Sequence, residues 1–194
     1  NIDRLISFGI NEIYISVKYL KNQIIEYFKD GTSKGISIKY IEEDEPMGTI
    51  GAISKIKNIK TDNILVMNSD ILTDFDFESF YNFHNSNLNQ MTVASIPYHV
   101  DIPYAVLNRD GSKVTGFVEK PRYTYYSNAG IYLIRKELLG HVPKNKFYNA
   151  TDLMKELIDK NKLSHFPILN YWLDIGKHED FVKAQSDISK LDLN

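Results

Sequence analysis

The run Ile64-Leu65-Val66-Met67 carries no charge and leads directly into Asn68-Ser69-Asp70. A short, continuously apolar run of this kind reads as a strand covered on both faces, as in sheets flanked by helices. A second acidic stretch, Trp172-Leu173-Asp174-Ile175-Gly176, stands far downstream, directly before a helix-like segment. Each stretch places a carboxylate at the mouth of a predicted strand. In open α/β sheets, ligands bind outside the carboxyl ends of the strands. Two carboxylates converging there can hold one hard divalent cation, typically Mg²⁺, with phosphate oxygens completing its shell. Read singly, each aspartate serves equally well as a turn or cap residue.

The rest of the chain supports a layered α/β fold. Ile2, Leu5 and Ile6 form an apolar stripe ending at Gly9, and Ile13–Val17 reads as a strand. Leu20, Ile24 and Phe28 have helical spacing, Ile36–Ile41 alternates like a strand, and Thr49–Ile59 reads as a helix. Asn63–Met67 is a buried strand. Phe77, Phe80, Tyr81 and His84 share a helical face, with Asp74 or Asp76 as N-cap. Asn82 to Asn89 reads as a solvated helix end and loop. After the strand Met91–Ile96 the rhythm becomes hairpin-rich. Ala105–Asn108 and Lys113–Val118 flank the turn Arg109-Asp110-Gly111-Ser112. A strand over Ala129–Ile134, a helix behind Thr151, a strand over Phe166–Leu169 and a closing helix through Phe181, Ala184 and Ile188 follow. This order predicts a three-layer, Rossmann-like domain with a mixed, mainly parallel sheet.

Composition narrows the chemistry. The 194 residues suffice for one domain with a sizeable core. The formal net charge of −2 gives no reason to expect nucleic acid as partner. No apolar run approaches the roughly 20 residues a membrane span needs. Cysteine is absent, which removes disulfides and thiolate metal sites and fits a reducing cytoplasm. The five histidines show no ligand spacing and read as surface or half-buried. Ile2-Asp3-Arg4-Leu5-Ile6 reads as mid-helix, so the expectation is one N-terminally incomplete domain over residues 1–194.

Three further segments carry candidate chemistry. Pro46-Met47-Gly48-Thr49-Ile50-Gly51-Ala52 offers small residues and free amides at a helix start, or simply a tight loop. In Phe117-Val118-Glu119-Lys120-Pro121, the carboxylate can accept from sugar hydroxyls and the ammonium can pair with phosphate, or the two form an exposed ion pair. Asn128-Ala129-Gly130 can present an amide and bare backbone to a sugar, or start a strand. Arg122-Tyr123-Thr124-Tyr125-Tyr126 reads as a half-exposed strand or an oligomer contact.

In order along the chain, these segments resemble the sugar-phosphate nucleotidylyltransferase family. Gly9-Ile10-Asn11-Glu12-Ile13 is similar to its G-I-x-E-I segment, and Pro46 to Ala52 resembles L-G-T-A-G-A, which borders the nucleotide. Asn68-Ser69-Asp70 resembles N-G-D, whose aspartate binds metal. Pro103-Tyr104-Ala105-Val106 resembles P-Y-G-V. Phe117 to Pro121 resembles F-x-E-K-P, and Asn128-Ala129-Gly130-Ile131-Tyr132 resembles N-A-G-I-Y, both sugar-site motifs. Trp172 to Gly176 resembles W-L-D-I-G, whose aspartate is the second metal ligand.

The resemblance implies Mg²⁺ on Asp70 and Asp174, nucleotide contacts from Gly48, Thr49 and Asn68, and sugar-phosphate contacts from Tyr104, Glu119, Lys120, Asn128 and Gly130. It implies nucleotidyl transfer from an NTP, GTP favoured, to a sugar 1-phosphate, in a cytoplasmic homo-oligomer. Guanylyltransferase-like members are the nearest in pattern, and some carry CBS domains ahead of the catalytic domain. Ser69 and Ala105 replace family glycines, and Lys177-His178 replaces Thr-Pro. The family's opening strand, with its G-G-x-G-T-R-L loop and later P-K-x-x-x-P lysine, has no counterpart here, so these 194 residues alone are expected to be inactive. Two alternatives remain: a non-catalytic nucleotide-sugar-binding regulator, and a metal-dependent glycosyltransferase using Asp74 and Asp76.

Overall fold

The computed structural model describes residues 1–87 and 89–191. The first half comprises α1 (Ile2–Ser7), β1 (Glu12–Val17), α2 (Lys21–Phe28), β2 (Ser37–Glu42), β3 (Asn63–Met67), β4 (Ile71–Thr73) and α3 (Phe77–Ser86). The second comprises β5 (Met91–Asp101), β6 (Val106–Asp110), β7 (Lys113–Val118), β8 (Arg122–Arg135), α4 (Ala150–Ile158), β9 (Leu163–Pro167), β10 (Trp172–Asp174) and α5 (His178–Asp187).

The central sheet has the order β3-β8-β5-β9. β8 runs against both β3 and β5, and β5 runs with β9, so three of the four strands share one direction. Alternate side chains of β8 feed two cores, as the period of two requires. Tyr132 and Ile134 join Met91, Val93, Leu153 and Leu157 on one face. Ile131 and Leu133 join Ala94, Phe75, Phe77 and Phe80 on the other. Helix α4 covers the first face, and α1 and α3 cover the second. The result is the expected three-layer, Rossmann-like α/β arrangement. Three two-stranded units surround it: parallel β1–β2, antiparallel β4–β10 and the hairpin β6–β7.

Local chemistry sets the helix starts. The Asp76 carboxylate accepts from the Ser79 backbone N–H at 2.9 Å, capping α3. Phe77, Phe80 and His84 then face inward, while Tyr81 stays about half exposed. Helix α4 begins ahead of Thr151, at a capping box formed by Asn149 and Asp152.

Some elements differ from the reading of the sequence. Thr49–Ile59 is not a helix: only Gly51–Lys55 forms a 3-10 turn. The N–H groups of Ile50 and Gly51 donate instead to the Tyr148 carbonyl, at 3.2 and 3.1 Å. The stretch is rich in β-branched isoleucine, which lowers helix propensity. Strand β8 starts seven residues before Ala129 and spans 14 residues. It takes in Tyr123, Tyr125 and Tyr126, which form an exposed ribbon with the end of β5. Strand β9 stops at Pro167, although the Ile168 N–H still reaches the Ser95 carbonyl at 2.7 Å. Helix α3 continues through Ser86; residue 88, within the expected loop, lies outside the described residues.

His84 is fully buried, not surface or half-buried as its sequence context suggested. Its Nδ1 bonds the Thr92 hydroxyl at 2.8 Å. Among the described residues, no helix is long and apolar enough to cross a membrane.

Candidate functional site

The site grows from a defect in the central sheet. Along β5–β8, Val93 stands opposite Tyr132 and Ser95 opposite Asn128. Ala129, Gly130 and Ile131 therefore share the single partner Ala94, which makes a bulge in β8. Bulges bend a strand and re-aim its side chains. Gly130 sits at φ +73°, a conformation favoured only for glycine. Its N–H donates to Asn128 Oδ1 at 2.9 Å, while Asn128 Nδ2 donates to the Tyr132 hydroxyl at 2.9 Å. The neighbouring strand β3 ends beside this bulge, where the Asn68 N–H donates to the Gly130 carbonyl at 2.9 Å. A Cβ on Gly130 would lie 2.7 Å from Asn68 Nδ2. Two amide side chains thus meet over a bare backbone.

The Pro46–Ala52 loop closes on this point from the α4 side. Asn149 Oδ1 accepts from the Thr49 N–H at 3.2 Å, and the Thr49 hydroxyl accepts from the Ala150 N–H at 2.7 Å. Gly48, at φ +73°, packs so tightly that a Cβ would come within 2.7 Å of the Tyr148 carbonyl oxygen. The amides of Thr49, Ile50 and Gly51 are therefore engaged by residues 148 and 149. Offering them to a ligand at a helix start is corrected on two counts: they are already bonded, and no α-helix begins there.

Between these walls lies a cavity of about 360 Å³. Four of the expected residues line it: Thr49, Asn68, Asn128 and Gly130. Tyr132, Asn149 and Thr151 complete the wall and were not singled out from the sequence. Tyr132 closes the very segment that contains Asn128, and Thr151 opens the α4 stripe, so both were within sight. Asn149 had no local signal beyond its N-cap residue type. Burial pushes the Tyr132 hydroxyl above its usual pKa, partly offset by the bond from Asn128, so it is a neutral group.

The two acidic stretches are brought together beside this cavity. Strands β4 and β10 pair so that Asp174 stands opposite Ile71, and the Ile175 N–H donates to the Asp70 carbonyl at 2.7 Å. Trp172 Nε1 donates to the Ala129 carbonyl at 3.0 Å, welding β10 to the bulge. Both aspartates are exposed. Among the described residues, no group of three or more His, Cys, Asp or Glu is arranged to hold a metal. Carboxylates are oxygen donors of the type a hard cation takes.

Tyr104, Glu119 and Lys120 do not line the cavity. They flank the β6–β7 hairpin and are exposed, Tyr104 at 75%. Lys120 holds φ +43° immediately before Pro121, a backbone that a residue before proline rarely adopts. The Ile102 N–H donates to the Pro121 carbonyl at 3.1 Å and anchors this turn. Both Asp76 carboxylate oxygens accept from Ser79 at the α3 cap.

Fold and site together define an α/β protein with amide, hydroxyl and carboxylate groups gathered at the carboxyl end of a strand. The family model for Nucleotidyl transferase matches residues 1–190, and the chain belongs to that family. Mannose-1-phosphate guanyltransferase of Yarrowia lipolytica is 29% identical over 191 residues, covering 94% of this chain and 53% of that protein. Mannose-1-phosphate guanylyltransferase of Mycobacterium tuberculosis is 26% identical, covering 96% and 54%. The chain thus spans about half the length of the curated relatives it matches. HddC from Yersinia pseudotuberculosis, in a crystal structure described as complexed with GMP-PN, superposes with a TM-score of 0.68. It is 27% identical, covering 96% of this chain and 83% of that one.

Proposed function

We propose that residues 1–194 form one domain of a cytoplasmic sugar-1-phosphate nucleotidylyltransferase that uses GTP. The observation that carries this reading is the convergence of Asn68, Asn128, Gly130 and Thr49 on one cavity, with Asp70 and Asp174 at the adjoining end of the β4–β10 pair. The guanine preference rests on the names of the relatives and on the nucleotide held by HddC. In the reaction, a phosphate oxygen of the sugar 1-phosphate attacks the α-phosphorus of the NTP. The bond from that phosphorus to the bridging oxygen of pyrophosphate breaks, and pyrophosphate leaves. Asp70 and Asp174 would hold Mg²⁺, which when bound offsets the negative charge of the phosphates. Asn68 and Asn128 orient polar groups of the two substrates. Tyr132 fixes the Asn128 amide, and Glu119, Lys120 and Tyr104 would hold the sugar phosphate from the hairpin side.

The test is pyrophosphate release by the protein that carries this chain, with GTP, dTTP, UTP, CTP or ATP and a panel of sugar 1-phosphates. GTP is expected to support the fastest turnover. Asp70→Asn and Asp174→Asn should each lower kcat by about 100-fold or more, the scale of losing a transition-state electrostatic contact. Full activity in both variants would refute the assignment.

A further inference from the structure

The face of the central sheet that carries α4 changes character along its length. Its covered part is apolar: Met91 and Val93 of β5 stand opposite Ile134 and Tyr132 of β8, all of them buried. Past the bulge the same face turns polar. Ser95 stands opposite Asn128, and Tyr126 lies two residues back along β8, about 7 Å away. From β9, His165 pairs with Val93 and so shares this face. Asn128, Tyr126 and His165 are exposed, whereas Ser95 is buried. Tyr126 and His165 stand outside the 360 Å³ cavity, on the far side of Asn128.

These three side chains form a unit. Ser95 Oγ bonds His165 Nδ1 at 2.9 Å, and the Tyr126 ring packs against the imidazole with centroids 4.9 Å apart. The buried hydroxyl therefore draws the imidazole from β9 toward Asn128, the cross-strand neighbour of Ser95. Among the described residues, neither His165 Nε2 nor the Tyr126 hydroxyl has a hydrogen-bond partner. A fixed aromatic wall with polar edges suits a ligand that carries both apolar C–H faces and hydroxyl groups. The strand order decides which end of the substrates reaches it. Asn68 closes β3, and β8 and β5 lie between β3 and β9, so β9 is about 14 Å from β3 across the sheet. A nucleotide held at Asn68 lies on one side of Asn128, and the wall on the other.

We propose that His165 and Tyr126 are specificity-determining residues for the sugar: the sugar lies against their rings, and its hydroxyls bond His165 Nε2 and the Tyr126 phenol. Ser95 is a positioning residue, which acts by fixing the imidazole. The identity of the ligand rests on the proposed reaction; the wall itself rests on the geometry alone.

The test uses the protein that carries this chain and has two readouts. In the first, the imidazole proton resonances of His165, assigned by their loss in His165→Asn, are followed while GTP and each sugar 1-phosphate of the panel are added separately. At least one sugar 1-phosphate should shift them, and GTP should not. In the second, KM is measured for both substrates. His165→Ala should raise the KM for the sugar 1-phosphate at least tenfold and that for GTP less than twofold. Ser95→Ala should raise the sugar KM by about three- to tenfold. His165→Asn keeps an amide near the Nδ1 position, within reach of Ser95, but removes the outward edge, so it should behave as His165→Ala does. The proposal is overturned if His165→Asn restores the sugar KM, since the histidine then serves only to satisfy Ser95. It is equally overturned if no sugar 1-phosphate moves the His165 resonances, or if GTP moves them. An unchanged sugar KM in Ser95→Ala removes the positioning role. Absence of turnover with every sugar refutes the reaction instead, and the resonance titration then still decides whether the wall binds sugar.

Discussion

His84 shows how one buried side chain couples the fold to pH. Burial lowers its pKa from 6.5 to about 4, with the Arg135 charge adding to the effect. Among the described residues its Nε2 has no hydrogen-bond partner, so a proton there would gain nothing in return. The folded chain therefore binds fewer protons than the unfolded chain between these values. Its contribution is fully present above about pH 6.5 and is lost as pH falls toward 4. The difference is worth roughly 3 kcal/mol at 1.36 kcal/mol per unit. Urea unfolding at pH 7.5 and 4.5 should show a marked fall in stability that is smaller in His84→Gln. An equal fall in the variant would assign the effect to the carboxylates. Gly130 is the second decisive residue. Gly130→Ala forces a Cβ onto Asn68 at a φ of +73°, a strain of about 1–3 kcal/mol. It should lower the urea midpoint and weaken nucleotide binding together, because the displaced side chain lines the cavity.

At the level of elements, α4 and the Gly48–Thr49 loop stabilise each other through reciprocal side-chain bonds. Asn149 caps its own helix and also holds the Thr49 amide. Asn149→Ala should destabilise the protein by about 1–2 kcal/mol. It should also speed hydrogen exchange at Thr49, which Asp152→Asn should not. The elements themselves were largely legible beforehand. The uncharged run of β3, the Asp-Gly turn between β6 and β7 and the apolar stripes of α3 and α4 are local signals with local causes. What escaped the reading depends on partners remote in sequence. Ile50 and Gly51 donate their amides to Tyr148, almost a hundred residues away. His84 is buried because Thr92 on a neighbouring strand receives it. The glycine of Asn128-Ala129-Gly130 hinted at close backbone approach, but only the register against Ala94 reveals the bulge. Likewise, periodicity locates Asp70 and Asp174 on strand ends, yet says nothing of the β4–β10 pairing that unites them.

For the molecule as a whole, the order of strands in sequence is not their order in space. β3 waits for β8, and β4 waits for β10 at the far end of the chain. Pairings this distant slow folding, since loop closure precedes any gain from the contact. A chain cut after Asn170 should keep the α3 and α4 cores but lose the β4–β10 ladder, lowering the urea midpoint and leaving Ile71 open to solvent. An unchanged midpoint would show that β10 is a passenger. Trp172, the sole tryptophan of the sequence, sits on β10, the last strand along the described chain, with its indole bonded to the β8 bulge. A single indole thus stands where β10 closes on β4 and the bulge. Its emission should shift to the blue late in refolding, after backbone ellipticity has recovered, and so give an optical clock for the moment Asp174 comes alongside Asp70.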